Sequence, residues 1–304
     1  MSSSYPDKLH MQRSGVQKYG AYFMALGFAI GTASAQDASP KRVLRVCADP
    51  NNMPFSNKRQ EGFENRLAEL VATEMKAQLE YTWMPQRRGF IRRTLIANKC
   101  DVVMGLPDGI EGVMASNPYY RSTYVFVQRK NTVKALASFD DPALHDMKIG
   151  LHAIGDDGAN PPPVYALARR GVVQKVRGFK MWDTDNVDSP AGRIIDAVAD
   201  GTIDLAIVWG PFSYFATRQP VDLSVTPVTQ PEDMKIFPFS YAVSMGVREG
   251  DHHRKNELDS IVKRRRDDIL RILQTYQVPM ADQDQLQAKW TINSFADSEH
   301  STGE

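Results

Sequence analysis

The stretch from Val43 to Met75 constrains the fold more than any other part of the chain. It opens on Val43-Leu44-Arg45-Val46-Cys47-Ala48, a short apolar run rich in β-branched residues, which predicts a strand. Asp49-Pro50-Asn51-Asn52-Met53-Pro54-Phe55 follows, a loop crowded with turn formers. Beyond it, Gly62-Phe63-Glu64-Asn65 leads to Leu67, Leu70, Val71 and Met75 at helical spacing. Strand, loop and amphipathic helix in that order begin an α/β domain, and open α/β sheets place ligands at the carboxyl ends of their strands.

The same grammar recurs. Leu79 to Trp83 alternates as a strand, Phe90 to Ile96 reads as a helix, and Asp101 to Gly105 as a core strand. Ser122 to Arg129 is a further strand, and the polar segment from Lys130 to Asp146 leads to a second round: strands at Lys148–Leu151, Val172–Phe179 and Asp204–Pro211, with helices through Tyr165 and from Gly192 to Gly201. A last strand, Ala242–Val247, precedes a helix carrying Leu258, Ile261, Ile269 and Leu273 on one face. The basic run Lys263–Arg266 inside that helix reads as a solvated face balanced by Asp267 and Asp268. The predicted organisation is a lobe of residues 42–128 plus 239–291, a second lobe of residues 133–235, hinge segments at Phe126–Lys130 and Phe237–Tyr241, and a disordered tail over 296–304.

Residues 1–35 read as a signal peptide rather than as part of the fold. Lys8, Arg13 and Lys18 make a basic region, the apolar core Ala21–Ile30 is too short for a stable membrane anchor, and Ala33-Ser34-Ala35 supplies small residues for cleavage near Ala35. A start at Met11 leaves that signal intact. The expected location is the periplasm. With 37 Lys and Arg against 36 Asp and Glu, the composition does not suggest a nucleic-acid partner. Export also bears on the two cysteines. Cys47 lies in the first predicted strand and Cys100 immediately precedes another, so in an oxidising compartment a Cys47–Cys100 disulfide is expected; two reduced, buried thiols are the alternative.

Catalytic and metal signatures are missing: there is no Gly-x-Ser-x-Gly elbow, no His-Glu-x-x-His and no Walker loop. His252-His253 lacks a third ligand, and Asp156-Asp157 reads as a helix-start pair. Neither an enzyme nor a cofactor is predicted.

Pro54-Phe55, Gly62-Phe63-Glu64, Asp101–Gly105 and Asn117-Pro118-Tyr119-Tyr120 make the chain similar to type II periplasmic solute-binding proteins of the amino-acid-binding kind (family 3). That resemblance implies a two-lobed α/β fold, each lobe a mixed sheet flanked by helices, joined by two crossover strands around a cleft. It also implies a ligand clamp that this chain does not keep. The family holds the ligand carboxylate with an Arg in the loop after the second core strand; here Gly105–Gly112 contains none. The family holds the α-ammonium with an Asp, at a position that is Trp209 here. A zwitterion needs both charges met. The cleft is therefore expected to be apolar and aromatic, with Asp49, Met53, Phe55, Glu64, Leu106 and Tyr119 from the first lobe. The second lobe is expected to contribute Gly155, Asp157, Asn160, Trp209 and Tyr214. Tyr120 reads equally well as cleft or core.

Longer segments narrow the resemblance. Cys47–Asn57, Glu61–Asn65, Tyr81–Phe90 and Ile154–Asn160 resemble the MoxJ/XoxJ group, binding-protein-like accessories of PQQ-dependent methanol dehydrogenases. What this implies is a non-catalytic accessory in maturation or activation of such a dehydrogenase. The alternative is the substrate-binding component of an ABC transporter for a small apolar or aromatic solute, and a third class is an enzyme on this scaffold, as in cyclohexadienyl dehydratases. Arg87, Arg88, Arg92 and Arg93 form a candidate partner surface, with Arg88 and Arg92 predicted on one helical face. Their charges are expected either to be met within the fold, for example by Glu64 or Asp108, or to meet an acidic partner.

Overall fold

The computed structural model describes residues 41–130, 136–153, 160–182 and 188–281. In the first half lie β1 (Val43–Ala48), the short ribbon β2 (Asn51–Asn52) and β3 (Ser56–Asn57), α1 (Phe63–Glu74), β4 (Gln78–Trp83), α2 (Phe90–Arg93), β5 (Val102–Leu106), β6 (Val113–Ala115) and β7 (Tyr120–Arg129). Then come β8 (Ile149–Ala153), α3 (Pro162–Arg169), β9 (Val176–Lys180), α4 (Arg193–Ala199), β10 (Leu205–Trp209), a 3-10 stretch Gly210–Arg218, β11 (Leu223–Pro227), β12 (Ser240–Arg248), α5 (His252–Arg264) and α6 (Arg266–Thr275). The predicted signal segment and the tail lie outside the described residues.

Pairing runs β4-β1-β5-β12-β7-β10-β8-β9, with β11 against β7 and β6 against β12. β1 is parallel to β4 and β5, and β8 is parallel to β9 and β10, while β7 and β12 run antiparallel to their neighbours. The two long strands change partner part-way. Tyr120–Thr123 of β7 pairs with Ser240–Val243 of β12, but from Tyr124 onward β7 pairs with β10 and β11. This change of partner falls at Thr123–Tyr124, a few residues before the segment the sequence suggested.

Each sheet region is buried on both faces, as the two-residue period of its strands requires. Leu44 and Val46 of β1 and Val102 and Met104 of β5 enter a core with Phe63, Leu67 and Val71 of α1 and Leu258 and Ile269 of α5 and α6. Cys47 and Val103 face the opposite side with Phe90 and Leu95. In the second lobe Phe126, Leu205 and Ile207 pack with Leu144 and Leu167, while Val125, Val127, Ala206 and Val208 pack with Ile194 and Val198 of α4. Phe55 and Trp209 pack against a core of each lobe, so they sit where the two lobes meet. Cys47 and Cys100 form a disulfide, with Cα atoms 5.5 Å apart.

Two helices differ from their sequence patterns. α2 is a single turn: Gly89 takes a left-handed conformation (φ 80°), so Arg88 lies before the helix and does not share a face with Arg92. Of the apolar residues in the predicted helix Phe90–Ile96, Phe90 is buried but Ile96 is 45% exposed. The C-terminal pattern breaks at Arg265 into α5 and α6. There Arg264 and Arg265 reach Glu74 of α1, at 3.1 and 2.7 Å, and only Arg265 also meets Asp268. Half of this basic run is thus answered from a neighbouring helix.

Candidate functional site

The carboxyl ends of parallel strands from both lobes converge on one cavity of about 440 Å³. In the first lobe the chain leaving β1 contributes Asn52 and Phe55, the end of β4 is followed by Gln86, and β5 ends at Gly105-Leu106-Pro107. In the second lobe His152 comes from β8, Met181 and Trp182 follow β9, and Ile207 and Trp209 come from β10. The crossing strands complete the wall with alternate residues: Tyr120 and Tyr124 of β7, Tyr241 and Val243 of β12.

The loop that carries Phe55 is fixed by its own backbone. The N–H groups of Phe63 and Glu64, orphaned at the start of α1, donate to the carbonyls of Pro54 and Phe55 at 2.8 and 2.9 Å. A side chain on Gly62 would lie 2.0 Å from the Phe55 carbonyl oxygen, so glycine is what lets helix and loop approach. The side-chain oxygen of Asn65 accepts the backbone N–H groups of Gly62 and Asn57. The Pro-Phe and Gly-Phe-Glu motifs are therefore two halves of one joint, and the joint delivers both Phe55 and Glu64 to the cavity.

Glu64 is half-buried, and it is the one Asp or Glu among the described lining residues. Its carboxyl makes no hydrogen bond or ion pair with a described residue. It lies over β5: a side chain at Gly105 would meet Glu64 Oε1 at 2.0 Å. Burial, with the nearby charge of Asp49, pushes its pKa up to about 8. His152, the other ionisable lining group besides the tyrosines, is buried, donates from Nε2 to the Ala191 carbonyl at 2.9 Å and meets Phe212 edge to face. Burial lowers its pKa to about 4, so the ring is neutral near pH 7. Burial also raises the phenols of Tyr120, Tyr124 and Tyr241. Around Trp209, Tyr124 and Tyr241 stand at 69° and 62° with centroids 5.5 and 5.6 Å away. These rings form angled walls rather than a stack.

Of the predicted cleft residues, the structure brings Phe55, Glu64, Leu106 and Trp209 together at this cavity. Asp49 does not reach it. Its carboxylate accepts backbone N–H groups of Asn51 (2.8 Å) and Gln86 (2.6 Å), tying the β1 and β4 loops, and burial is the main cause of its raised pKa. Met53 is buried under the same loop. Tyr119 points away from the cavity and donates its hydroxyl to the Met104 carbonyl at 2.6 Å, whereas its neighbour Tyr120 lines the wall. Tyr214 stacks on Tyr276 and carries Arg218 over its ring, off the cavity. Asn160 is exposed beside the lining residue Pro161, and Gly155 and Asp157 lie outside the described residues. Tyr124, Tyr241, His152 and Trp182 were missed. Two-residue alternation from Tyr120 would have found Tyr124, but Tyr241 and Trp182 follow only from the pairing of distant strands.

Beside the cavity lies a polar cleft where the lobes touch. Arg59 meets Asp188 at 3.3 Å, the Ser189 N–H donates to Asn51 Oδ1 at 2.9 Å, and the Arg87 guanidinium lies 5.4 Å from the Trp182 ring centre. Arg88, Arg92 and Arg93 are exposed. Arg93 donates to the carbonyls of Arg88 and Gly89, and neither Glu64 nor Asp108 pairs with any arginine of the group.

This architecture, with a cavity between two α/β lobes joined by paired crossing strands, is that of a periplasmic binding protein. The chain belongs to the bacterial extracellular solute-binding proteins of family 3, whose family model matches residues 44–290. Within that class it is 30% identical over 256 residues to Protein MoxJ of Methylorubrum extorquens, covering 81% of this chain and 85% of that one. Protein MoxJ of Paracoccus denitrificans is 30% identical over 231 residues, covering 71% and 83%. The crystal structure of periplasmic binding protein XoxJ from Methylobacterium extorquens AM1 shares 36% identity at a TM-score of 0.66, over 79% of this chain and all of that one. An ancestral cationic amino acid solute-binding protein, 20% identical with a TM-score of 0.59, shares the fold.

Proposed function

We propose that the chain is a non-catalytic periplasmic accessory of a PQQ-dependent methanol dehydrogenase, assisting its maturation or activation through the two-lobed cleft. The observation that carries this reading is the lining itself. At the two positions where the amino-acid-binding family meets a zwitterion, this chain has a loop without Arg and Trp209, and no Lys or Arg lines the cavity among the described residues. An amino acid bound there would leave its carboxylate desolvated and unpaired, at a cost of several kcal/mol. Kinship with MoxJ and XoxJ supports the choice of partner, residues 1–35 would direct export, and the exposed Arg88, Arg92 and Arg93 would offer a cationic contact to an acidic surface.

Chemical cross-linking in methanol-grown cells of the native host tests this reading. The expected result is a cross-link to the dehydrogenase large subunit, and loss of methanol oxidation when the gene is deleted. A second reading, a transport receptor for a small apolar or aromatic solute, is favoured by the cavity volume, which lies in the range of small-molecule sites. A cross-link to a membrane permease with methanol oxidation intact would select it.

A further inference from the structure

We propose that the cavity is a binding site for an organic ammonium cation, with the charge against Glu64 and the carbon groups against the rings of Trp209, Tyr124 and Tyr241. The site admits few other chemistries. No Lys or Arg lines it among the described residues and His152 is held neutral, so an anion finds no counter-charge. A metal ion finds one carboxyl, and the described residues hold no group of three or more metal-binding side chains. What the lumen does offer, among the described residues, is one acid without a partner there and aromatic rings set at 62° and 69° around Trp209. Aromatic surfaces and a single carboxyl suit a weakly hydrated cation that can exchange its water for π-faces.

The surroundings of Glu64 make this binding proton-linked. Among the described residues the ionisable groups around it are Asp49 on the loop after β1, Tyr81 of β4, Tyr119 just before β7 and Tyr120 at its start, and none of these is basic. Arg87 lowers the pKa of Asp49, and only Asp49 of the two acts on Glu64. With its pKa near 8, Glu64 is mainly protonated at pH 7, and an arriving cation favours the carboxylate and expels the proton. Affinity should therefore rise about tenfold from pH 6 to pH 7 and level off above pH 8.

The cation has two possible sources, a free quaternary ammonium compound or a lysine side chain on a protein. The lysine source rests on the accessory reading above; the free source does not. Calorimetry on the purified full chain, without any dehydrogenase, uses choline, its uncharged carbon isostere 3,3-dimethylbutan-1-ol, and Nα-acetyl-lysinamide. We expect at least one of the two cations to bind with release of about one proton at pH 7, read from the dependence of heat on buffer ionisation. Glu64→Gln, isosteric with the protonated acid and so expected to fold, should weaken that cation at least tenfold and abolish the pH dependence. Choline as the tighter ligand indicates a free solute, and acetyl-lysinamide as the tighter one indicates a protein lysine. The proposal is overturned if neither cation binds below 10 mM (about the weak limit of a specific site), if the uncharged isostere binds as tightly as choline, or if binding releases no proton. Because the dehydrogenase is absent, none of these results bears on whether the two proteins associate.

Discussion

Two carboxyls in the first lobe, one buried and one half-buried, have opposite surroundings. Asp101, 4% exposed just before β5, is met by Arg45 at 2.7 Å, Arg248 at 3.5 Å and Arg254 at 3.9 Å, and it also accepts the Arg45 backbone N–H. Burial alone would raise its pKa, but the hydrogen bonds and charges of these arginines hold it below the usual range. Glu64, on α1 over Gly105 near the other end of that strand, has no such partner among the described residues and is pushed up to about 8. The chain thus answers a buried carboxylate where it serves stability and leaves one unanswered where the cavity opens. The contrast marks Glu64 as a group kept for something outside the chain.

The largest effect should come from breaking the satisfied site. Asp101→Ala leaves three guanidiniums without their shared anion and should cost about 3–5 kcal/mol, measured by denaturant unfolding at pH 7. The sign in wild type follows from the lowered pKa. Asp101 contributes stability above its unfolded pKa of about 3.9, and that contribution is lost as pH falls through the folded value. The variant should therefore lose less stability than wild type on acidification below pH 4; an equal loss would mean that the arginine cluster is not what Asp101 stabilises.

Glu64 should show the reverse. Between about pH 4 and pH 8 the unfolded chain ionises this group while the folded chain keeps the proton, so the wild type loses stability as pH rises and levels off above pH 8. Glu64→Gln removes that loss. It should be more stable than wild type by roughly 2–4 kcal/mol at pH 9, less than the whole shift because the carboxyl keeps contact with the cavity, and little different at pH 4. A wild-type stability that rises from pH 5 to pH 8 relative to Glu64→Gln would break the comparison.

Gly105→Ala tests the geometry that holds the unpaired acid. A Cβ at position 105 would stand 2.0 Å from Glu64 Oε1 and 3.1 Å from its carboxyl carbon, so the carboxyl must swing aside, at roughly 1–3 kcal/mol. In a Glu64→Ala background the same substitution should cost almost nothing. The double-mutant cycle then yields a coupling energy of about the size of the single-mutant loss. Additive effects would place the clash elsewhere.

How much of this was legible in sequence depended on the range of the interactions. The motifs Pro54-Phe55 and Gly62-Phe63-Glu64 are local and could be read, though not the joint that ties them; β1 was expected, and so was the Cys47–Cys100 disulfide, with two reduced thiols as the alternative. The two-lobed fold was implied by the resemblance to solute-binding proteins, which the repeated strand–loop–helix order accompanied. The choice of Tyr119 over Tyr120 failed because adjacent aromatic residues at a strand start give no phase, and only pairing with β12 decides which one faces the cavity. The helix over Phe90–Ile96 failed because the chain leaves helical geometry at Thr94, after four residues, and passes into a turn, which apolar spacing does not reveal. That Glu64 has no partner among the described residues was invisible. It depends on where every arginine of the fold ends up, and the one cluster near it in sequence, Arg87 to Arg93, turns to Trp182 or to solvent.

Those arginines supply the smallest expected effect on stability and the control for the whole comparison. Arg88 and Arg92 are as unpartnered as Glu64 among the described residues, but they are exposed, so water meets their charge. Arg88→Glu together with Arg92→Glu should change unfolding free energy by less than about 0.5 kcal/mol. Their effect belongs to association. If the accessory reading holds, the pair should slow binding of the dehydrogenase at low salt, and wild-type binding should weaken as ionic strength rises past about 0.1 M, where the screening length falls to about 10 Å. Stopped-flow association with the purified dehydrogenase at several salt concentrations separates the cases. A slowed on-rate with unchanged unfolding shows a charged docking surface. An unchanged on-rate removes this patch from the proposed interface, and a large loss of stability would show that exposure had not, after all, freed these charges from the fold.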